Sequence, residues 1–230
     1  MHQVYRSTLK FTIVCLSGFF LVNSTQAQTI PDNSLGAESS LVTPTNETID
    51  LIEGGAIRDN NLFHSFSDFN VGDGNGVYFA SPNGVANIMT RVTGNNPSQI
   101  FGTLGVNGAA NLFLLNPNGI IFGENAALDV SGSFLATTAD SYIFENDFNY
   151  SASNPEAPSL LTVNIPVGLQ FGDRATAIEV TGTGHSYEPL TATSQTLPDN
   201  FLAISSNSTL ALIAGEINFT GGNVVTSGGM

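Results

Sequence analysis

The sequence predicts an all-β fold of the solenoid kind, in which short strands wind into stacked coils. Three observations point there. The first is repetition: Ile100-Phe101-Gly102 returns 21 residues later as Ile121-Phe122-Gly123. Ala127-Leu-Asp-Val-Ser-Gly132 returns as Ala177-Ile-Glu-Val-Thr-Gly182 and as Glu216-Ile-Asn-Phe-Thr-Gly221, at offsets of 50 and 39 residues. These spacings lie near multiples of a unit of about 20 residues. The second is the strand period inside each unit: Leu128 and Val130 face one way and Asp129 the other, and Ile178, Glu179 and Val180 repeat the arrangement. The third is composition. Only 10% of residues are charged, against about a quarter in ordinary domains, and 24 glycines accompany many β-branched residues. That mixture favours strands and tight turns over helices.

A β-sandwich also has short strands and frequent turns, but it gives no reason for one six-residue pattern to occur three times. The longer repeat matches Gly119–Gly132 with Gly168–Gly182. In the predicted solenoid Phe101, Phe113, Phe122, Phe134, Phe171 and Phe219 form the interior stacks. Ile49–Arg58 and Leu62–Phe69 read as short strands covering the open end of the first coil, where a bare edge would invite pairing. The acidic and proline-rich segment Asp140–Pro166 breaks the rhythm and reads as an excursion, a hairpin or small added sheet, with return at Val167–Phe171. Thr183–Asn200 is a second interruption.

The first residues form a separate unit. Arg6 and Lys10 precede an apolar run from Phe11 to Val22, and small residues end at Ala27. The pattern is that of a secretory signal peptide over 1–27, cut between Ala27 and Gln28; the run is too short to span a membrane. Its removal leaves Arg58, Arg91 and Arg174 against 19 acidic residues, a net charge of −16, and no cysteine. Such a chain cannot neutralise a row of phosphates, which excludes nucleic acid. An anionic membrane surface is disfavoured for the same reason, and no stable membrane insertion is expected.

Asn116-Pro117-Asn118-Gly119 fits a tight turn between a strand at Leu112–Leu115 and one at Ile120–Phe122. Proline presets one corner residue, and Asn-Gly takes positive φ cheaply. Ser81-Pro82-Asn83-Gly84 repeats that chemistry 35 residues earlier. Asparagines at a solenoid corner can bond the backbone of neighbouring coils, so a purely structural role is open to every residue of the motif.

Taken in order, Thr90-Arg91-Val92-Thr93-Gly94, Ile100-Phe-Gly-Thr-Leu-Gly105 and Ala110-Asn111-Leu-Phe-Leu-Leu-Asn116-Pro-Asn-Gly-Ile-Ile-Phe-Gly123 resemble the N-terminal secretion domain of the filamentous haemagglutinin family. The wording is most similar to cyanobacterial members, and the likeness runs from Gln28 to the end, over 28–230. It implies a right-handed parallel β-helix with an N-terminal cap and extra-helical strands. It also implies export by the general secretory route, then recognition of the largely unfolded chain by periplasmic domains of an outer-membrane transporter. Folding outside the cell would follow, at the surface or in the medium.

The family's N-P-N-G-I motif maps onto Asn116, Pro117, Asn118, Gly119 and Ile120, which with Asn111 become candidates for partner recognition or for a β-helix corner. The nearest match to a second motif, N-P-N-L, is Ser81-Pro82-Asn83-Gly84, where serine replaces the first asparagine and glycine the leucine. Arg91, Val92, Thr93 and Gly94 form a further family-like motif. Members of the family usually continue into long passenger regions. Here the chain ends within what resembles an unfinished coil, which favours a truncated domain.

Catalytic chemistry is not expected. A polysaccharide lyase needs cations beside the substrate carboxylate, and three scattered arginines do not supply them. Asp129 and Glu179 could be drawn as a carboxylate pair, but they read better as solvated strand positions. His64 and His185 are too few for a zinc site, and the stretch from Asp68 to Gly76 lacks the spacing of a calcium loop. No metal or cofactor is expected. The alternatives to a secretion domain are a surface adhesin binding glycans or other cells and, more weakly, a polysaccharide-active enzyme.

Overall fold

The computed structural model describes residues 28–145, 148–159, 166–173, 176–183 and 202–226. Among these the structure is all-β apart from one 3-10 turn at Gly36–Glu38. Its body is a parallel β-helix with three faces. The first carries β3 (Ile49–Gly54), β6 (Gly76–Ala80), β9 (Thr103–Asn107) and β12 (Ala127–Asp129). The second carries β5 (Asn61–Asp68), β7 (Asn87–Val92), β10 (Asn111–Leu115), β13 (Phe134–Thr137) and β19 (Leu210–Ile213). The third carries β8 (Ser98–Ile100), β11 (Ile120–Phe122), β17 (Ala177–Thr181) and β20 (Glu216–Thr220). Neighbours on each of these faces run parallel. A last pair, β18 (Leu202–Ile204) and β21 (Val224–Thr226), is also parallel, and Leu202 and Ile204 join the same core.

Alternation decides what each strand buries. On β17, Ile178 and Val180 enter the core while Glu179 stays in solvent. The interior is filled by stacked apolar rows such as Leu62, Ile88, Leu112 and Phe134 on the second face. Near the first coil Phe66, Phe69 and Phe79 pack ring against ring, with centroids 5.2 to 6.4 Å apart. Such rings bury large apolar areas in specific geometry.

A ladder of polar side chains pins the register at the start of the second face. The Asn87 amide donates to Asn61 Oδ1 and the Asn111 amide to Asn87 Oδ1, each at 2.9 Å. Ser133 N then donates to Asn111 Oδ1 at 2.8 Å, and Thr209 N to Ser133 Oγ at 3.0 Å. The steps are 26, 24, 22 and 76 residues. A regular coil is therefore slightly longer than the unit read from sequence, and the last step spans the excursion.

The second face is covered on its outer side as well. The excursion forms an antiparallel sheet of β14 (Ser141–Ile143), β15 (Asn149–Ser151) and β16 (Gly168–Gln170). It lays Ala139, Tyr142, Phe144 and Tyr150 against Phe63, Met89 and Leu115 in a second core. With both sides covered, every residue of β7 is buried. The cap is built from β1 (Ile30–Pro31), antiparallel to β5, and β2 (Ser40–Pro44), antiparallel to β3. A short β4 (Ala56–Arg58) folds back on β5.

Several expectations are corrected here. Ile49–Arg58 and Leu62–Phe69 are not only a cover: β3 and β5 are strands of the first coil, and β1 and β2 close it. Val167–Phe171 is not the return to the solenoid, because β16 belongs to the excursion; the return comes at β17. The repeats at 21 and 50 residues are not coil registers. Phe122 stacks on Ile100, and Ile178 stacks on Ile120, so Ala177–Gly182 lies on the third face while Ala127–Asp129 lies on the first. Only the 39-residue repeat is a true step, Ala177 beneath Glu216. Of the six phenylalanines assigned to the interior, Phe122 and Phe134 are in the core. Phe101 and Phe113 are half-buried outside it, and Phe171 and Phe219 are exposed. Phe101 lies over Gly123, where a Cβ would meet its ring at 2.5 Å. The expected signal segment 1–27 and most of the interruption at Thr183–Asn200 lie outside the described residues.

His64 is completely buried inside the first coil, its Nδ1 2.9 Å from Ser40 Oγ and its ring against Phe66 and Phe79. Burial pushes its pKa down to about 3. The unfolded imidazole takes up a proton near 6.5, whereas the folded one resists until about 3. Stability is therefore complete above pH 6.5 and drains away below it, by about 1.4 kcal/mol per pH unit from this group. Urea unfolding at pH 5.0, 5.5, 6.0 and 7.0 is expected to show that slope. In His64→Phe the slope between pH 5 and 6.5 is expected to flatten by one proton. An unchanged slope assigns the acid sensitivity to other groups.

Candidate functional site

Two corners hold the residues singled out in the sequence. The corner from the second face to the third carries Asn116–Ile120 in one coil and Arg91–Gly94 in the coil beneath, with Leu115 in register with Arg91. The corner from the first face to the second carries Asn111 and, one coil earlier, Ser81–Gly84. The two proline-asparagine turns therefore occupy different corners. Pro82, Asn83 and Gly84 are exposed, with Val85 N bonded to Pro82 O at 3.1 Å. Asn111 belongs to the ladder.

Asn116 has no solvent exposure. Its Oδ1 accepts from Asn118 N at 2.9 Å, closing an Asx turn, while its amide donates to Asn96 O and Ser98 Oγ, each at 3.0 Å. The Asn118 amide donates to Gly94 O at 2.7 Å. Both asparagines thus read the corner of the coil below, residues 94–98. From above, the Thr176 hydroxyl donates to Pro117 O at 2.7 Å. Gly119 takes φ +112, and a Cβ there would approach Ala177 O at 3.2 Å, so glycine suits the turn twice over. Ile120 then enters the core. The motif is a knot between three coils with its amides turned inward.

Arg91 sits beneath this corner, on the side of β7 that the excursion covers. It is fully buried. Its Nε donates to Ser65 Oγ and its Nη2 to Ser34 Oγ, each at 2.9 Å. Both hydroxyls pass the interaction on: Ser65 donates to Asp32 Oδ2 at 2.8 Å and Ser34 to Asp32 Oδ1 at 2.6 Å. Two serines thus relay a buried arginine to a carboxylate. Thr93 Oγ1 donates to the same Asp32 Oδ2 at 2.6 Å. On the excursion side, Arg91 Nη1 donates to Ser151 O at 2.9 Å and the guanidinium lies 4.0 Å from the Tyr150 ring centre.

Burial works against the charge on both partners. It tends to raise the Asp32 pKa, but the hydrogen bonds from Ser34, Thr93 and Ser65 prevail and hold it below the usual carboxylate range. Burial lowers the Arg91 pKa, opposed by Tyr150, Asp32 and Glu156. A guanidinium remains protonated through such shifts. The second described arginine is also an interior tie. Arg58 makes a bidentate pair with Glu38 at 2.6 and 2.9 Å and donates from Nε to Pro158 O at 3.0 Å. Among the described residues no cationic side chain is left on the surface.

Arg91, Thr93 and Gly94 were visible in the sequence, and so were Asn116 and Asn118. Asp32, Ser34, Ser65, Tyr150 and Ser151 were not. No local signal marks them, because a serine becomes a relay only when chain 57 residues away comes beside it. Asp129 and Glu179 stand on different faces, and Asp129 Oδ2 accepts from the Tyr78 hydroxyl at 3.1 Å. They do not form a catalytic pair. No group of three or more metal-ligating side chains occurs among the described residues. Gln28 is described and exposed, whereas Ala27 lies outside the described residues.

Arg91→Lys keeps a charge but cannot present the planar fork that reaches both serines and Ser151 O. It is expected to cost about 3 kcal/mol in denaturant unfolding, the scale for breaking a buried ionic network. Tyr150→Phe, which removes the 2.8 Å bond from its hydroxyl to His64 O, is expected to cost about 1 kcal/mol. The reverse ranking would mean that the Tyr150 hydroxyl bond, not the arginine, is the stronger tie between excursion and coils.

Comparisons with known proteins agree with this architecture. The secretion domain of HMW1 from Haemophilus influenzae superimposes with a TM-score of 0.51 at 21% identity, over 79% of this chain and 38% of that one. At that identity the likeness concerns the fold. Two Haemophilus influenzae heme/hemopexin-binding proteins, one of them from strain Rd, are 42% identical over 86 residues and 43% identical over 72. These matches take in 37% and 31% of this chain but only 9% and 8% of the relatives' length. The model of the TPS secretion domain, the secretion domain of two-partner secretion exoproteins, matches residues 27–230. The chain therefore belongs to the TPS secretion domain family.

Proposed function

We propose that this domain is the non-enzymatic export address of a two-partner secretion exoprotein, read by the periplasmic domains of a dedicated outer-membrane transporter before it folds. The observation that carries the reading is the burial of Asn116. Once the corner closes, both ends of that amide are bonded inside the protein. A partner that uses these side chains must meet them in the open chain. The signal segment over 1–27 takes the chain across the inner membrane and is removed; residues 28–230 then cross the periplasm unfolded and fold into coils at the cell surface or in the medium. The absence of cysteine from 28–230 suits that route, since no disulfide can close a loop in the oxidising periplasm.

The test joins secretion to folding. Native chain is expected in the medium only when the cognate transporter is present. Asn116→Ala leaves Asn96 O, Ser98 Oγ and Asn118 N without their partner and is expected to cost about 2 kcal/mol, which still permits a β circular dichroism spectrum. The same variant is expected to remain in the periplasm, and purified transporter periplasmic domains are expected to bind urea-unfolded native chain but not the folded protein. Equal secretion of both chains makes the motif a corner and nothing more. Export without the transporter overturns the proposal as a whole.

A further inference from the structure

The sequence holds four Asn-Gly pairs, at Asn75, Asn83, Asn107 and Asn118. An asparagine followed by glycine is open to attack on its side chain by the next backbone nitrogen. That nitrogen, with no Cβ beside it, adds to the asparagine Cγ. The new N–Cγ bond closes a five-membered imide as the Cγ–NH2 bond breaks, and ammonia leaves with the proton that the backbone nitrogen gives up. Water then opens the imide at either carbonyl. The product is aspartate, or isoaspartate with the main chain running through the side-chain carbon. The reaction needs an unbonded glycine N–H, room around it and an asparagine side chain able to turn back.

Three of the four pairs lack those conditions. At Asn75 the Gly76 N–H donates to Thr48 O at 2.8 Å, and a Cβ on Gly76 would stand 3.1 Å from the Tyr78 ring. Asn107 ends β9 in register with Ala80, and its Gly108 N–H donates to Val106 O at 2.9 Å. The Ser81 side chain lies 2.7 Å from the Gly108 Cβ position. At Asn118 the Gly119 N–H donates to Asn116 O at 3.2 Å, and the side-chain amide is itself held by Gly94 O at 2.7 Å. Asn83 differs on every count. Asn83 and Gly84 are exposed, and the Gly84 N–H has no hydrogen-bond partner among the described residues. No atom beyond its chain neighbours lies within 4 Å of where a Gly84 Cβ would stand. The bond across the turn, Val85 N to Pro82 O at 3.1 Å, leaves the pair between them untied.

We infer that Asn83 is a site of spontaneous covalent modification in the folded protein, converted through an imide with Gly84 to isoaspartate and aspartate with loss of ammonia, while the other three pairs are protected. The two proline-asparagine turns thus have opposite fates. A carboxylate in place of the Asn118 amide would set its oxygens against Gly94 O and Asn116 Oδ1 and open the knot between coils. At Asn83 the added charge and the longer backbone fall on an exposed turn with no bond to another coil, so the product stays folded. The inference does not rest on the secretion reading, since it concerns the folded protein alone.

The purified full chain would be aged at physiological temperature and mildly alkaline pH, both folded and in guanidinium chloride, and mapped by peptide mass spectrometry with an isoaspartate assay. In the folded protein Asn83 is expected to convert at least about tenfold faster than Asn75, Asn107 or Asn118, because a held pair must first open against its hydrogen bonds. In denaturant the four rates are expected to converge to within about threefold, since the bonds that set them apart are gone. Isoaspartate is expected to exceed aspartate at position 83, with the circular dichroism of the aged chain still that of β structure. Asn83→Gln, whose amide carbon lies one bond farther from the nitrogen, is expected to lose the acidic species that grows on ion exchange. Conversion of Asn107 or Asn118 as fast as Asn83 in the folded protein overturns the inference, as does aspartate without isoaspartate or an acidic species that persists in Asn83→Gln. An Asn83 that stays intact while the denatured chain converts overturns it equally. So does a rate difference undiminished in denaturant, which would belong to local sequence and not to the fold.

Discussion

Arg91 is a charge that the fold cannot leave alone. A guanidinium without solvent contact is tolerated only when each of its donors is met, and its partners come from three separate stretches. Asp32 and Ser34 belong to the cap, Ser65 to the first coil, and Tyr150 and Ser151 to the excursion. Docking of the excursion takes water away from the guanidinium, and only with all three in place is its shell complete. The interaction therefore makes cap, coils and added sheet stand or fall together. A plain solenoid would behave differently, because its stability is a sum over neighbouring coils that can form a few at a time.

Two devices set how the coils meet. The ladder Asn61, Asn87, Asn111, Ser133 and Thr209 marks one corner, and the Asn116–Asn118 pair marks the next. Apolar stacking alone does not distinguish one alignment from another two residues away, since the same face would still point inward. A buried amide does distinguish them. A slip leaves its donor and acceptor unmatched at about 1–3 kcal/mol per group. Polar corners specify register, and apolar faces supply most of the stabilisation.

That division explains what was legible in the sequence. Alternation and composition reveal strands and a solenoid, because burial of every second residue is a local property. Ile178-Glu179-Val180 reads correctly for that reason. The turn at Asn116–Gly119 is legible for the same reason: proline and glycine act on their own backbone. Register is not local. Ala127–Gly132 and Ala177–Gly182 look like the same rung, yet they stand on different faces, because similar alternation can be written on any face of the helix. The serine relays are still less visible, since a serine carries no pattern. Phe101 illustrates the ambiguity within one residue: the Ile-Phe-Gly pattern equates it with Phe122, but Ile100 takes the interior position and Phe101 covers Gly123 from outside.

The same residues that fix the folded state are the ones a transporter could read in the unfolded one, and this follows from where their polar groups go. An asparagine that bonds two coils at once must be sequestered when the coils close. In the open chain its amide is presented to solvent beside Pro117, which restricts the backbone to few conformations and would lower the entropy lost on binding. On the proposed reading, recognition and folding would compete for one set of hydrogen bonds: a transporter that held the Asn116 corner would delay the knot between coils, and release would let it form. Arg91 lies in the coil directly below, where its serines come from the first coil and the cap. On this account folding completes itself only after the last contributor, the excursion strand carrying Tyr150 and Ser151, has come through.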